Sequence, residues 1–338
     1  MILNVQADGK AYEVLIEEGA LRSAGTFFDL KRRVLVITDS GVPETYAETI
    51  RDQADEGYIL TVPEGEDSKS LESVERILTE LLLQGFTRED AIVSVGGGKC
   101  GDLAGFAASI FMRGIDFLNV PTTLLSMADA SLGGKTAVNL LGVKNAAGSF
   151  CQPSGVLIDP ELLRTLPKRQ ISAGLAEILK AALIGDAELF EMIEQAEDPG
   201  ADLRLYIERA LRVKQRFIEA DPYDRGLRKA LNLGHTLGHG IESAEKGRLL
   251  HGEAVALGMI PMCDSLVRER LIPVLQRAAL PTETDLAPEK IMRYVTHDKK
   301  KQALLYTTVH IEEIGSFVLR EMRERSLYRA LETIRRES

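Results

Sequence analysis

Cysteine is scarce in this chain of 338 residues: Cys100, Cys151 and Cys263 are widely spaced and odd in number. That excludes a disulfide framework and suits a reducing compartment. Positive charge is also in deficit, with 41 Lys and Arg against 51 Asp and Glu, a formal net charge of −10. A general nucleic-acid binder needs a broad basic face, so no nucleic-acid partner is expected. A local lysine cluster inside a cleft can still focus the field on a small anion. No segment approaches the roughly 20 apolar residues of a membrane span. The opening Met1 to Gly9 lacks a basic start followed by an apolar run, so no signal peptide is expected. Internal repeats and low-complexity stretches are missing as well. The expectation is a cytoplasmic protein with no membrane partner, long enough for two domains.

What is there begins as alternation. Tyr12 to Ile16 and Arg33 to Thr38 have strand character, Ser70 to Leu83 has helical spacing, Ala91 to Val95 is a buried strand, and Asp102 to Ile110 is a helix rich in small residues. The periodicity puts Leu71, Val74, Ile77, Leu78 and Leu81 on one helix face. Strands alternating with helices imply a parallel sheet covered on both sides. From about Leu162 the pattern turns helical: 172–184, 187–195, 203–220, 231–244 and 253–270 all have helical spacing. Strand signals return only at Leu304 to Val309 and Gly315 to Leu319. A boundary near Asp159-Pro160 and Pro167 gives an α/β domain over 1–165 and a mainly helical domain over 166–338.

Histidine is scarce too, yet three of the five fall at His235, His239 and His251. Neutral imidazole is a favoured zinc ligand, and His235 and His239 stand one helical turn apart. Glu177 and Lys180, spaced i, i+3 in Gly174 to Ala182, form a solvated ion pair on the bland reading. In surroundings this apolar a carboxylate needs a strong partner, which favours a metal. Glu177, His235 and His251 make a three-ligand site with an open position; His239 is either a fourth ligand or a general acid/base. Arg228 and Asn232 precede His235 on what reads as one helix, and Asn232, His235 and His239 trace one face.

A second constellation is Gly96-Gly97-Gly98-Lys99-Cys100-Gly101-Asp102, in which Gly96, Gly98 and Gly101 keep the G-x-G-x-x-G spacing between a strand and a helix. There glycine lets the backbone approach a pyrophosphate at the helix N-terminus. Alone this is a weak signal, and it does not lie in the first βαβ unit. Pro121-Thr122-Thr123, Asp129 to Thr136 and Lys144-Asn145 read as polar loops whose lysines are either surface charge or anion ligands.

Taken together and in order, these residues resemble the 3-dehydroquinate synthase family, zinc- and NAD-dependent cyclases of the shikimate pathway within the sugar phosphate cyclase superfamily. The resemblance runs from about Asp39 to Gly315 and includes Pro63 to Lys69, Met112-Arg113-Gly114 and Asp298-Lys299-Lys300. It implies a Rossmann-like α/β domain followed by a mainly helical one, with the active site in the cleft between them. It implies NAD beside Asp39, Glu66, Lys69, Gly96, Gly97, Gly98, Asp102, Thr122 and Thr123, with Asp129, Lys135 and Lys144 within reach of it. It places zinc (Zn2+) on Glu177, His235 and His251, with cobalt (Co2+) or iron able to take the same ligands. Catalytic work falls to His239, Lys135, Asn232, Lys180 and Asp129. Substrate binding falls to Arg113, Lys144, Asn145, Lys214, Arg228 and Lys299, with Arg113 reaching a phosphate across the interface of a homodimer. The implied substrate is an anionic sugar phosphate, 3-deoxy-D-arabino-heptulosonate 7-phosphate, and the implied enzyme a carbon–oxygen lyase acting on phosphates.

Some positions depart from the family pattern: Lys99 replaces a small apolar residue, Ala130 a serine, Ala128 a valine, and Val143 a glycine. Three rival readings define the tests. A metal-dependent polyol dehydrogenase would not need Lys135, Lys144, Arg228 and Lys299 together. A cyclase for another phosphorylated sugar is disfavoured by Lys214 and Arg228, which suit a carboxylate. A catalytically silent NAD- or metal-binding protein would not need the full acid/base and metal set.

Overall fold

Branched and aliphatic runs become the strands of the first half. The computed structural model describes residues 1–297 and 305–336, which divide between two units, Met1–Leu166 and Pro167–Ser338. The first unit runs β1 (Ile2–Ala7), β2 (Lys10–Ile16), β3 (Arg33–Asp39), α1 (Glu44–Arg51), β4 (Glu56–Val62), α2 (Leu71–Leu83), β5 (Ala91–Gly96), α3 (Gly98–Ile110) and β6 (Asp116–Pro121). It continues with the hairpin β7 (Lys135–Leu140) and β8 (Val143–Phe150), then β9 (Gly155–Ile158). Seven strands form one sheet in the order β1-β2-β9-β6-β5-β3-β4. Only the β1–β2 pair is antiparallel. Every residue of β5 is buried, as a central parallel strand covered on both faces requires.

Because β3, β4, β5 and β6 are mutually parallel, their carboxyl ends share one edge of the sheet, where ligands of open α/β sheets bind. Ser70 caps α2 by accepting from Ser73 N–H, and Val74, Ile77 and Leu81 pack with Leu103 and Phe117 in the core. Leu71, expected on that face, is exposed in the first turn. The loops expected around Lys135 and Lys144 are instead the strands β7 and β8. β8 is almost wholly exposed, so it shows no alternation to read.

The second unit holds α4 (Lys168–Gly185), α5 (Ala187–Gln195), α6 (Leu203–Ala220), α7 (His235–Glu245), α8 (His251–Met259), α9 (Ser265–Arg277) and α10 (Pro288–His297). A two-stranded antiparallel ribbon, β10 (Tyr306–His310) with β11 (Val318–Met322), and α11 (Glu324–Leu331) follow. The α/β-then-helical order is therefore as expected. Two long helices are not. The helix expected over 231–244 is cut: a 3-10 turn, Leu227–Asn232, ends before Gly234, whose φ of 78° is left-handed, and α7 starts at His235. Arg228 and Asn232 thus do not share a helix with His235. The helix expected over 253–270 also breaks. Past Met259 it tightens into a 3-10 turn holding Pro261, Cys263 is extended, and α9 begins at Ser265. Among the described residues no helix is long and apolar enough to cross a membrane.

Candidate metal centre and cofactor turn

In the helical unit, α4 carries Glu177 and Lys180 on a buried face, each only 3% exposed. The Lys180 ammonium stands 2.6 Å from Glu177 Oε2, so the ion pair exists but is not solvated. The other oxygen, Oε1, faces the histidines, 3.3 Å from His251 Nε2 and 3.7 Å from His235 Nε2. Gly252 permits this approach, because a Cβ there would lie 1.9 Å from the Ala173 carbonyl on α4. The His235, His239 and His251 rings sit with centroids 5.3 to 5.7 Å apart, and one nitrogen of each lies within 4.8 Å of the others.

The donor set fits a divalent ion. Zinc bonds of about 2.0–2.1 Å in a tetrahedron place neighbouring donors roughly 3.3 Å apart. The far nitrogens are already engaged: His235 Nδ1 faces the Leu233 carbonyl at 3.0 Å, and His251 Nδ1 lies 3.2 Å from Glu242 Oε2. A proton on each Nδ1 leaves Nε2 as the lone-pair donor. Burial would raise the Glu177 carboxyl, but Lys180 and the two histidines outweigh it and hold it well below the usual range. Burial pushes His235 down to about 3, so it is neutral. For His251 burial is outweighed by hydrogen bonding to Glu177 and Glu242, which raises it to about 9. A cation would take the place of the proton shared between Glu177 and His251.

Two further cations are buried in this unit, Lys214 on α6 and Arg228 in the 3-10 turn, which packs on α6 and α4. Asn232 closes that same turn. Lys299, with Asp298 and Lys300, lies outside the described residues.

In the α/β unit the glycine turn sits at the carboxyl end of β5. Helix α3 already begins at Gly98, so Lys99, Cys100, Gly101 and Asp102 occupy its first turns rather than a loop. Gly97, the N-cap, offers no side-chain cap, and the first N–H groups of a helix have no partner inside it. A Cβ at Gly97 would stand 3.2 Å from Thr123 Cγ2. This is a turn shaped for backbone contact with an anion, as a dinucleotide pyrophosphate requires. Thr122 N–H donates to the Gly96 carbonyl at 2.9 Å, tying β6 to the turn. Gly97, Gly98, Asp102, Ala130 and Lys135 line one small cavity.

Several of the remaining expected residues are tied to one another or to neighbouring side chains. Lys69 Nζ lies 2.5 Å from Asp102 Oδ2 and donates to Asn145 Oδ1, also at 2.5 Å. Asn139, which the sequence did not single out, donates to Glu66 Oε1 at 2.9 Å and accepts from Asn145 N–H at 2.9 Å. Lys99 turns away from the glycine turn to Asp39 Oδ2 at 3.2 Å, the Pro63 carbonyl at 2.6 Å and Ser68 Oγ at 3.1 Å. Asp129 sits in the turn Ser126–Ala130, and Lys144 is exposed on β8. Arg113 is exposed in the turn Phe111–Arg113, past the far end of α3. A helix of 13 residues spans about 20 Å, so within one chain Arg113 does not join the glycine turn. Sequence reasoning also missed Glu242, whose only signal is its place three residues beyond His239.

The fold is that of the sugar phosphate cyclases. A solved 2-deoxy-scyllo-inosose synthase, in complex with carbaglucose-6-phosphate, NAD+ and Co2+, superposes with a TM-score of 0.89 at 28% identity, covering 98% of this chain and 99% of that one. The 2-epi-5-epi-valiolone synthase of Streptomyces hygroscopicus subsp. jinggangensis, with NAD+ and Zn2+ bound, gives 0.85 at 27% identity, covering 96% of each chain. Within that class the assignment is narrower. The family models for 3-dehydroquinate synthase, N-terminal and C-terminal, match residues 59–173 and 174–301. The 3-dehydroquinate synthase of Enterococcus faecalis is 40% identical over 93% of this chain and 94% of its own length. The chain belongs to the 3-dehydroquinate synthase family.

Proposed function

We propose that the chain converts 3-deoxy-D-arabino-heptulosonate 7-phosphate to 3-dehydroquinate and phosphate, by transient oxidation, phosphate elimination, re-reduction and aldol closure. The observation that carries this reading, beside family membership, is the convergence of Glu177 Oε1 with the Nε2 atoms of His235 and His251. When bound, NAD supplies a reversible hydride acceptor and the divalent ion, zinc or cobalt, a Lewis acid for neighbouring hydroxyls.

Glu177, His235 and His251 hold the ion, and the Lys180 ammonium keeps Glu177 ionised. His239, its ring 5.3 Å from that of His235, handles protons at the substrate hydroxyls and does not serve as a ligand. Asp129 and Asn232 position hydroxyls. Lys214 and Arg228, both buried cations, take the substrate carboxylate, and Lys135, Lys144, Asn145 and Lys299 complete the anion-binding set. Gly96 to Gly98 with Thr122 and Thr123 receive the cofactor pyrophosphate, flanked by Asp39, Glu66, Lys69 and Asp102.

Arg113, exposed and remote from the glycine turn, serves the phosphate of a second copy, so the working form is a homodimer. Three free thiols, Cys100, Cys151 and Cys263, suit a cytoplasmic setting. The test is phosphate release from the heptulosonate phosphate with NAD and zinc supplied, NADH absorbance being followed in parallel. Phosphate without lasting NADH is the expected result. Accumulating NADH would indicate a dehydrogenase, and silence in both channels a non-catalytic protein.

A further inference from the structure

The two histidines facing Glu177 are held in unlike ways. His235 rests its Nδ1 on a backbone carbonyl, that of Leu233 at 3.0 Å. His251 rests its Nδ1 on a carboxylate, Glu242 Oε2 at 3.2 Å. Glu242 lies on α7, seven residues after His235 and three after His239, so all three side chains share one helix face. His251 opens α8 directly after a loop in which Lys246 and Gly247 both take left-handed φ, 51° and 83°. Its side chain is a third exposed, so packing alone does not fix the ring. The ring is held at two points, Glu177 Oε1 on Nε2 and Glu242 Oε2 on Nδ1.

We infer that Glu242 is a positioning residue of the metal centre: it fixes the orientation of His251 and strengthens it as a donor. The inference rests on the metal-centre reading above. Glu242 meets the ring at Nδ1 and not at Nε2, so it acts on the ion through His251 and not beside Glu177. A carboxylate behind a ligating imidazole fixes the tautomer and makes the ring a stronger base, and loss of such a partner weakens metal binding by about 10- to 100-fold. The backbone carbonyl behind His235 fixes the tautomer without that charge. His251 is thus the ligand whose strength can be tuned by one side chain of the neighbouring helix.

The test is chelator competition for zinc on the whole chain, with Glu242→Ala and Glu242→Gln beside the wild type. The visible absorption of the cobalt-loaded proteins reports the ligand geometry, and NAD affinity reports intact folding. Glu242→Ala is expected to lose about 10- to 100-fold in zinc affinity with an altered cobalt spectrum and unchanged NAD affinity. Glu242→Gln keeps an oxygen acceptor without the charge, so it is expected to lose less and to keep a cobalt spectrum near that of the wild type. Zinc affinity within twofold of wild type in both variants would overturn the inference while leaving the metal centre standing. A wild-type chain that binds no zinc would overturn both.

Discussion

The two constellations differ in how they are held. In the helical unit the carboxylate and the imidazoles converge, with Glu177 Oε1 facing two Nε2 atoms, and each far nitrogen is tied to a partner outside the cluster. In the α/β unit the charged residues around the glycine turn are paired with each other: Lys69 with Asp102, Lys99 with Asp39. The first arrangement turns several lone-pair donors toward one point, a geometry that a divalent cation can occupy. The second is electrostatically satisfied already, and offers a ligand mainly backbone N–H groups and a helix N-terminus. A metal site is therefore written in side chains, a dinucleotide turn chiefly in missing ones.

This contrast can be broken from either side. Removal of a ligand should have the largest effect: His251→Ala is expected to purify folded with little metal. Because a Lewis acid contributes several kcal/mol to charge stabilisation, its activity should fall by about 10³-fold or more. Full zinc occupancy in that variant would remove His251 from the ligand set. Next comes Lys135→Ala, which deletes one charge-assisted contact of about 1.5–3 kcal/mol. A loss of roughly 10- to 100-fold in rate is expected, with NAD affinity nearly unchanged in an equilibrium titration. An undisturbed rate would contradict the assignment.

Smaller again is a packing effect. Gly252→Ala places a Cβ against the Ala173 carbonyl at 1.9 Å, so α8 must shift from α4. Overpacking of this kind costs about 1–3 kcal/mol, and denaturant unfolding should show it together with weaker zinc binding. Stability without loss in either would mean that the helix contact does not set the ligand spacing.

The smallest effect concerns the first turn of α8, beside His251. Glu253 accepts from Leu250 N–H and from Arg169, two hydrogen bonds of the latter being 2.7 Å long. Burial would raise the Glu253 carboxyl, but Arg169 and Leu250 outweigh it and hold it below the ordinary value. A depressed carboxyl stabilises the fold fully above its unfolded value, about 4.3, and loses that contribution as pH falls through the lower folded value. Glu253→Gln should therefore narrow the stability difference between pH 6 and pH 3. The change will be slight, because Arg169 is mostly exposed.

Much of the fold was legible where one physical signal dominated. α5 and α6 begin and end where their spacing predicts, because Asp186 and Asp202 cap them by accepting from Leu189 and Leu205 N–H. The β7–β8 hairpin was illegible: β8 is small, polar and almost wholly exposed, and β7 buries only Thr136 and Val138, too short an alternation to stand out from a loop. The breaks at Gly234 and Pro261 were visible as residue types, but apolar residues continue across both and hide them. At the candidate site, the scarcity of histidine exposed the cluster and the glycines exposed the turn. Spacing said nothing of Glu242, Asn139 or the Lys99–Asp39 pair, since each contact depends on how separate segments pack.

The most direct measurement is anomalous X-ray diffraction at the zinc absorption edge from crystals of the zinc-loaded chain. The account predicts one peak in the helical unit, bonded to Glu177 Oε1, His235 Nε2 and His251 Nε2, with His239 unbonded. A peak held by His239 in place of Glu177, or no peak in this cluster, would contradict it.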